Sequence, residues 1–370
     1  MSPRLPPPSV PTIAETLKHP AYPTALWNLV PDVAGSSAVA QGRGGPIKIS
    51  WEIHGEGPIK LVLIMGLGGF KTAWQRQTLY FGHERRDQYS VLIFDNRGMG
   101  ESDKPFMRYS TSEMARDVAE LLAHPDVGWL PSFPLPSYPS SVQRTLHIVG
   151  ISMGGMIAQE LACLIPSAIA SLGLICTAAA VEQTASFLEH YAQRASLLLP
   201  KTPDRSVRDA ARRMFSHAWL SAPVDDVHLP DPETTPKVLP PSSGGKYLKF
   251  SSNAERFVAQ EMHKRLDPKG GFTVKGFLLQ LIAAGWHHKS AEQLAKMADE
   301  VGRERILVMH GTEDGMISMP HGRKLIDMIK PGMAEISPGL GHCPIVERVE
   351  WFHGIIEELV KKGETLSGRG

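Results

Sequence analysis

Cysteine is scarce: three residues in 370, Cys163, Cys176 and Cys343. An odd, sparse set gives no disulfide framework, and a reducing compartment is expected. Cys163 and Cys176 sit in apolar stretches, the setting of inert buried thiols. Net charge is also nearly missing. The 39 Lys and Arg balance 38 Asp and Glu to leave +1, so the basic footprint of a nucleic-acid binder is absent. No run approaches the roughly 18 apolar residues that span a bilayer. The first residues, MSPRLPPPSVP, lack the apolar core of a signal peptide, and LSGRG at the other end matches no common address signal. A cytoplasmic protein without stable membrane insertion is expected. No internal repeat, no G-x-G-x-x-G after a strand and no convincing His/Cys ligand spacing is present, so neither cofactor nor metal is expected. Apolar residues are not lacking: 42% hydrophobic excludes a disordered chain. With 34 Gly and 30 Pro, turns should be plentiful, and the length fits one catalytic domain carrying an insertion.

Residues 1–45 form a Pro-rich arm, expected to drape over the surface. Beyond it, Ile47–Ile53 alternates apolar and polar residues as a half-buried strand does. Five continuous apolar runs follow, at 61–65, 91–94, 146–149, 172–176 and 306–309. Each has the look of a strand covered on both faces. Helix-period segments at 112–123, 153–165 and 345–360 separate or follow them. The alternation predicts an α/β fold: an open, mostly parallel sheet flanked by helices, with parts at 46–177 and 301–370. Between the parts, 178–300 shows helical patterns at 254–264 and 277–286 and no clear strand, which predicts a mainly helical cap. A Pro/Ser-rich loop at 128–141 reads as a surface insertion.

The chemistry concentrates in three loops. Gly150-Ile151-Ser152-Met153-Gly154 is G-x-S-x-G between a buried strand and a helix, a context that makes the pattern specific. Small flanking residues permit a tight turn that exposes Ser152, and the helix starting at Met153 favours developing negative charge. A serine needs a base oriented by an acid. His342, in Pro338-Gly339-Leu340-Gly341-His342, is the base candidate. Asp314, just past the 306–309 strand, is the acid candidate, with Glu313 its competitor. The chain order is Ser152, Asp314, His342.

These residues, together with Asp95-Asn96-Arg97-Gly98-Met99-Gly100-Glu101-Ser102, resemble the α/β-hydrolase superfamily, and within it the capped serine esterases and lipases with a G-x-S-M-G-G turn. The resemblance covers about 47–177 and 303–362. It implies an α/β-hydrolase fold, a Ser152–Asp314–His342 triad, and an oxyanion hole made by the backbone N–H groups of Leu67 and Met153. One departure stands out: Met65-Gly66 replaces the His-Gly usual after the third strand. Gly68, Trp286 and His287 are candidate pocket residues; packing is the competing role for the last two, and a plain turn for Gly68. Serine at the turn argues against epoxide hydrolases and haloalkane dehalogenases, which place aspartate there. The expected activity is hydrolysis of a mid-sized lipophilic ester or thioester through an acyl-enzyme. A carbon–carbon hydrolase, an acyltransferase and a non-catalytic ligand-binding member are the alternatives. The sequence leaves the oligomeric state open.

Overall fold

Alternating apolar side chains serve both faces of one sheet in the computed structural model, which describes residues 8–135, 142–182, 201–223, 225 and 227–369. The strands are β1 (Val33–Val39), β2 (Ile47–His54), β3 (Ile59–Ile64), β4 (Tyr89–Phe94), β5 (Leu146–Ile151), β6 (Ile169–Ile175), β7 (Ile306–Gly311) and β8 (Met333–Ser337). Their spatial order is β1-β2-β4-β3-β5-β6-β7-β8. β2 runs antiparallel to both its neighbours, and every other pair is parallel. Within β3, Leu61 and Leu63 join one apolar layer while Val62 and Ile64 join the other. Burial on both faces is why these strands read as unbroken apolar runs.

The principal helices are α1 (Thr111–Ala123), α2 (Met153–Leu164), α3 (Pro203–Met214), α4 (Asn253–Arg265), α5 (Val274–Gly285), α6 (Ala291–Val301), α7 (Met319–Ile329) and α8 (Val349–Leu366). Phe352, Ile356 and Leu359 of α8 fill one layer; Met114 of α1, Met156 and Leu161 of α2, Leu294 of α6 and Leu325 of α7 fill the other. The side chains of Ser110, Thr202, Ser252, Thr273 and Ser290 accept the backbone N–H that caps α1, α3, α4, α5 and α6. α2 begins without such a cap, and the residue at that position is Ser152.

The boundaries differ from the sequence reading in three places. β1 lies inside the stretch expected as an arm; it pairs with β2 as an edge strand, and its exposed, small residues (VAGSSAV) hide it from an apolar search. The preceding segment does not merely drape: Val10, Ala21, Ala25 and Trp27 are buried, and Ile13 N–H donates to Asp204 of α3 at 2.8 Å. Finally, α6 lies within 178–300, yet Leu294, Met297, Ala298 and Val301 pack into the sheet's own layer. Of the 128–141 loop, 136–141 lies outside the described residues, as does 183–200 of the insertion. Cys163 is exposed, on the outer side of α2, whereas Cys176 and Cys343 are buried. No helix among the described residues is long and apolar enough to cross a membrane.

Candidate active site

Ser152 sits between β5 and α2 with φ 58° and ψ −124°, a conformation rare for a residue with a side chain. The glycines around it are required by contact. A Cβ on Gly150 would lie 2.3 Å from the Gly154 carbonyl oxygen, one on Gly154 2.1 Å from the Ile64 oxygen, and one on Gly155 2.6 Å from Thr177 Cβ. Two hydrogen bonds hold the turn: Ser152 N–H donates to Ile175 O at 2.9 Å, and Thr177 Oγ1 donates to Ser152 O at 2.7 Å. The helix N-terminus behind the turn places positive partial charge at the serine. The Ser152 hydroxyl makes no capping bond to the helix behind it.

Asp314 and His342 come together as a buried pair, His342 Nδ1 lying 2.7 Å from Asp314 Oδ2. A carboxylate accepts, so Nδ1 carries the proton and Nε2 is free to take another. Asp314 Oδ1 receives the N–H groups of Met316 and Ile317 at 2.8 and 2.9 Å. Burial pushes its carboxyl up, but the attraction to His342 in its protonated form and the hydrogen bonds from His310 and His342 outweigh burial and hold it well below the usual range. His310, which sequence reasoning missed, places Nε2 3.3 Å from Asp314 Oδ2 and 2.7 Å from Ile317 O. Its i,i+4 spacing from Asp314 was the available signal. Glu313 points elsewhere: its Oε2 accepts the His217 N–H at 3.1 Å.

The insertion holds both loops. His342 N–H donates to Met214 O at 2.6 Å, and Gly315 N–H to Arg213 O at 3.0 Å. Cys176 links this pair to the serine turn. Its Sγ and one donor atom each of Asp314 and His342 lie within 4.8 Å of one another, and its neighbour Thr177 bonds the Ser152 carbonyl. Those three side chains are a conceivable cation set, but burial drives the Cys176 thiol well up, keeping it protonated, and the Asp314–His342 hydrogen bond occupies the other two.

On the other side of Ser152 lies the loop after β3. A Cβ on Gly66 would approach Ser152 Cβ to 2.9 Å. Among the described residues, neither the Leu67 N–H nor the Met153 N–H has a hydrogen-bond acceptor. Asn96 Nδ2 donates to Met65 O at 2.9 Å and braces the loop from the 95–102 segment. In the same segment, Asp95 accepts from Lys71 N–H at 2.7 Å and Glu101 N–H at 2.9 Å, and Arg97 pairs with Asp117 at 2.5 Å in the interior. Gly68, at φ 69°, lies under Phe277 of α5, and its N–H donates to Gln280 at 2.9 Å. Trp286 and His287 line a cavity of about 180 Å³ beside the start of α1. Trp286 is exposed with Arg108 5.2 Å from its ring, while His287 is buried on Thr111 at 2.8 Å. Glu160 of α2 lines the same cavity, eight residues past Ser152, or ~12 Å along a helix.

The model of the alpha/beta hydrolase family matches residues 54–354. The chain belongs to this family. Its curated relatives include a 3-oxoadipate enol-lactonase of Acinetobacter baylyi, 25% identical over 302 residues, covering 82% of this chain and 88% of that one. Another is the dihydrolipoyllysine-residue acetyltransferase component of an acetoin-cleaving system in Pseudomonas putida, 33% identical over 135 residues. That match covers 36% of this chain, which spans only 31% of the relative. Among solved structures, a thermophilic esterase from Thermogutta terrifontis superposes with a TM-score of 0.62 at 19% identity, over 90% of this chain and 99% of that one. Membership places the chain among the alpha/beta hydrolases, with an enol-lactonase among its curated relatives.

Proposed function

We propose that this hydrolase cleaves a lipophilic ester, lactones and thioesters included, by way of an acyl-enzyme on Ser152. The observation that carries the reading is the buried Asp314–His342 pair at 2.7 Å, joined through Cys176 and Thr177 to the turn that bears Ser152. Ser152 Oγ attacks the carbonyl carbon while His342 Nε2 takes its proton. Asp314 holds the imidazole in the required tautomer and stabilises the imidazolium. The N–H groups of Leu67 and Met153 receive the oxyanion; such a donor is worth ~10²–10³ in rate. His342 returns the proton to the leaving oxygen or sulfur, and water repeats the sequence to release the acid. The enol-lactonase relative supports a cyclic or linear ester as substrate, and Phe272 and Phe277 near Gly68 support a lipophilic one.

Labelling with a fluorophosphonate, parent against Ser152→Ala, tests the nucleophile. The parent should label and the variant should not; labelling retained in Ser152→Ala would overturn the reading. A series of chromogenic esters of rising acyl length then defines the acyl preference.

A further inference from the structure

The loop after β3 offers three successive N–H groups beyond Gly66, and the fold disposes of two of them. Gly69 N–H closes a turn on Gly66 O at 3.3 Å. Gly68 N–H donates to Gln280 Oε1 at 2.9 Å. Only the Leu67 N–H, directly after the glycine that faces Ser152, is left without an acceptor among the described residues. Gln280 lies in the middle of α5 and is completely buried. Its other end, Nε2, donates to Arg97 O at 2.9 Å in the loop after β4. One partner is an N–H and the other a carbonyl, so the amide has a single satisfying orientation. Its helix cannot drift: a Cβ on Gly276 would meet Gly98 O at 2.1 Å, and Phe277 covers Gly68.

We infer that Gln280 is a positioning residue for the oxyanion hole. Taking up the Gly68 N–H fixes the peptide plane on one side of Leu67 and leaves the Leu67 N–H as the loop's donor. Tying the same amide to Arg97 O locks the loops after β3 and β4 to the insertion. The inference rests on the ester-hydrolase reading. It adds that a side chain of the insertion, contributing no atom to the reaction, governs how well the tetrahedral intermediate is held. Binding of the planar ground-state ester depends much less on it, because only the oxyanion needs the donor aimed.

The test compares the parent with Gln280→Met, which keeps the volume and loses both hydrogen bonds, and Gln280→Glu, which keeps an acceptor for Gly68 N–H. Each is measured for kcat and KM on a chromogenic ester and for affinity to a boronic acid that forms a tetrahedral adduct on serine. Gln280→Met should lose about 10- to 100-fold in kcat, less than outright loss of a donor. KM should change by less than about twofold, boronate affinity should fall in parallel with kcat, and Gln280→Glu should recover part of both. A parental kcat in Gln280→Met, or a kcat loss with boronate affinity unchanged, overturns the inference while leaving the ester-hydrolase reading intact. Should Gln280→Met not fold, Gln280→Glu carries the same test: parental kcat and boronate affinity together with an unprotected Gly68 amide in hydrogen exchange would overturn it. A parent that neither labels with fluorophosphonate nor turns over any ester removes the reading itself, and the positioning role with it.

Discussion

Asp314 is shared by two imidazoles, and among the described residues only one of them has a partner elsewhere. His310 is anchored to Ile317 O at 2.7 Å, whereas His342 hangs on a glycine loop with its free nitrogen available. Asp314→Asn keeps the shape but allows the wrong tautomer of His342, so kcat should fall by ~10⁴. Glu313→Gln should leave kcat within about threefold, because Glu313 caps the segment at His217 instead. Steady-state rates at saturating ester check both, and parity of the two variants would unseat Asp314. Because the folded carboxyl is depressed, the stability it contributes is present above the ordinary carboxylate range and lost only as pH falls through its lowered value. The three proposed triad residues were legible as candidates because each sits in a local motif: a strand–turn–helix, a strand end, a glycine loop. Gln280 was not. Its partners, Gly68 and Arg97, lie 212 and 183 residues away, and nothing local distinguishes a glutamine on a helix of the insertion. Trp286 and His287, pocket candidates from the sequence, line a cavity beside α1 whose lining does not include Ser152.

At the scale of elements, α5 is the piece whose placement matters most to the loop after β3. Gly276→Ala would put a methyl 2.1 Å from Gly98 O, which the helix can relieve only by lifting away from the loops it clamps. Both stability and kcat should fall. Gly285→Ala on the same helix meets nothing within 4 Å and should gain up to ~1 kcal/mol from helix propensity with kcat unchanged. Urea melts paired with ester kinetics distinguish the two; equal behaviour would argue against a clamping role for α5. The central strands were readable from composition because burial on both faces demands it. β1 and β8 were not, since both are edge strands with exposed or half-exposed positions and no apolar run. The α6 boundary was missed for a related reason: an apolar stripe says that a helix is covered, not by which layer.

For the whole molecule, acid sensitivity follows from buried neutral histidines. Burial lowers His83 to about 4, and lowers His287 and His353 to about 3, against about 6.5 for a free imidazole. Between those values the unfolded chain binds protons that the folded one refuses, so stability should hold above about pH 7 and fall as pH drops from about 6.5 towards 4. His353 stacks on Tyr80 at 4.1 Å, so His353→Phe keeps the stacking and should make the decline of Tm shallower. An unchanged slope in a Tm-against-pH series would count against its share. The carbonyls of Arg213 and Met214 have a consequence for how such proteins diversify. They complete the backbone of the Asp314 and His342 loops from within the insertion. An insertion of foreign sequence, grafted to change substrate, would therefore have to bring two main-chain acceptors in register as well as a new pocket wall. Exchange of this module between relatives is constrained by the Asp314 and His342 loops beneath it, and recombination should succeed where the chain is cut after Ser216 far more often than where it is cut before α3.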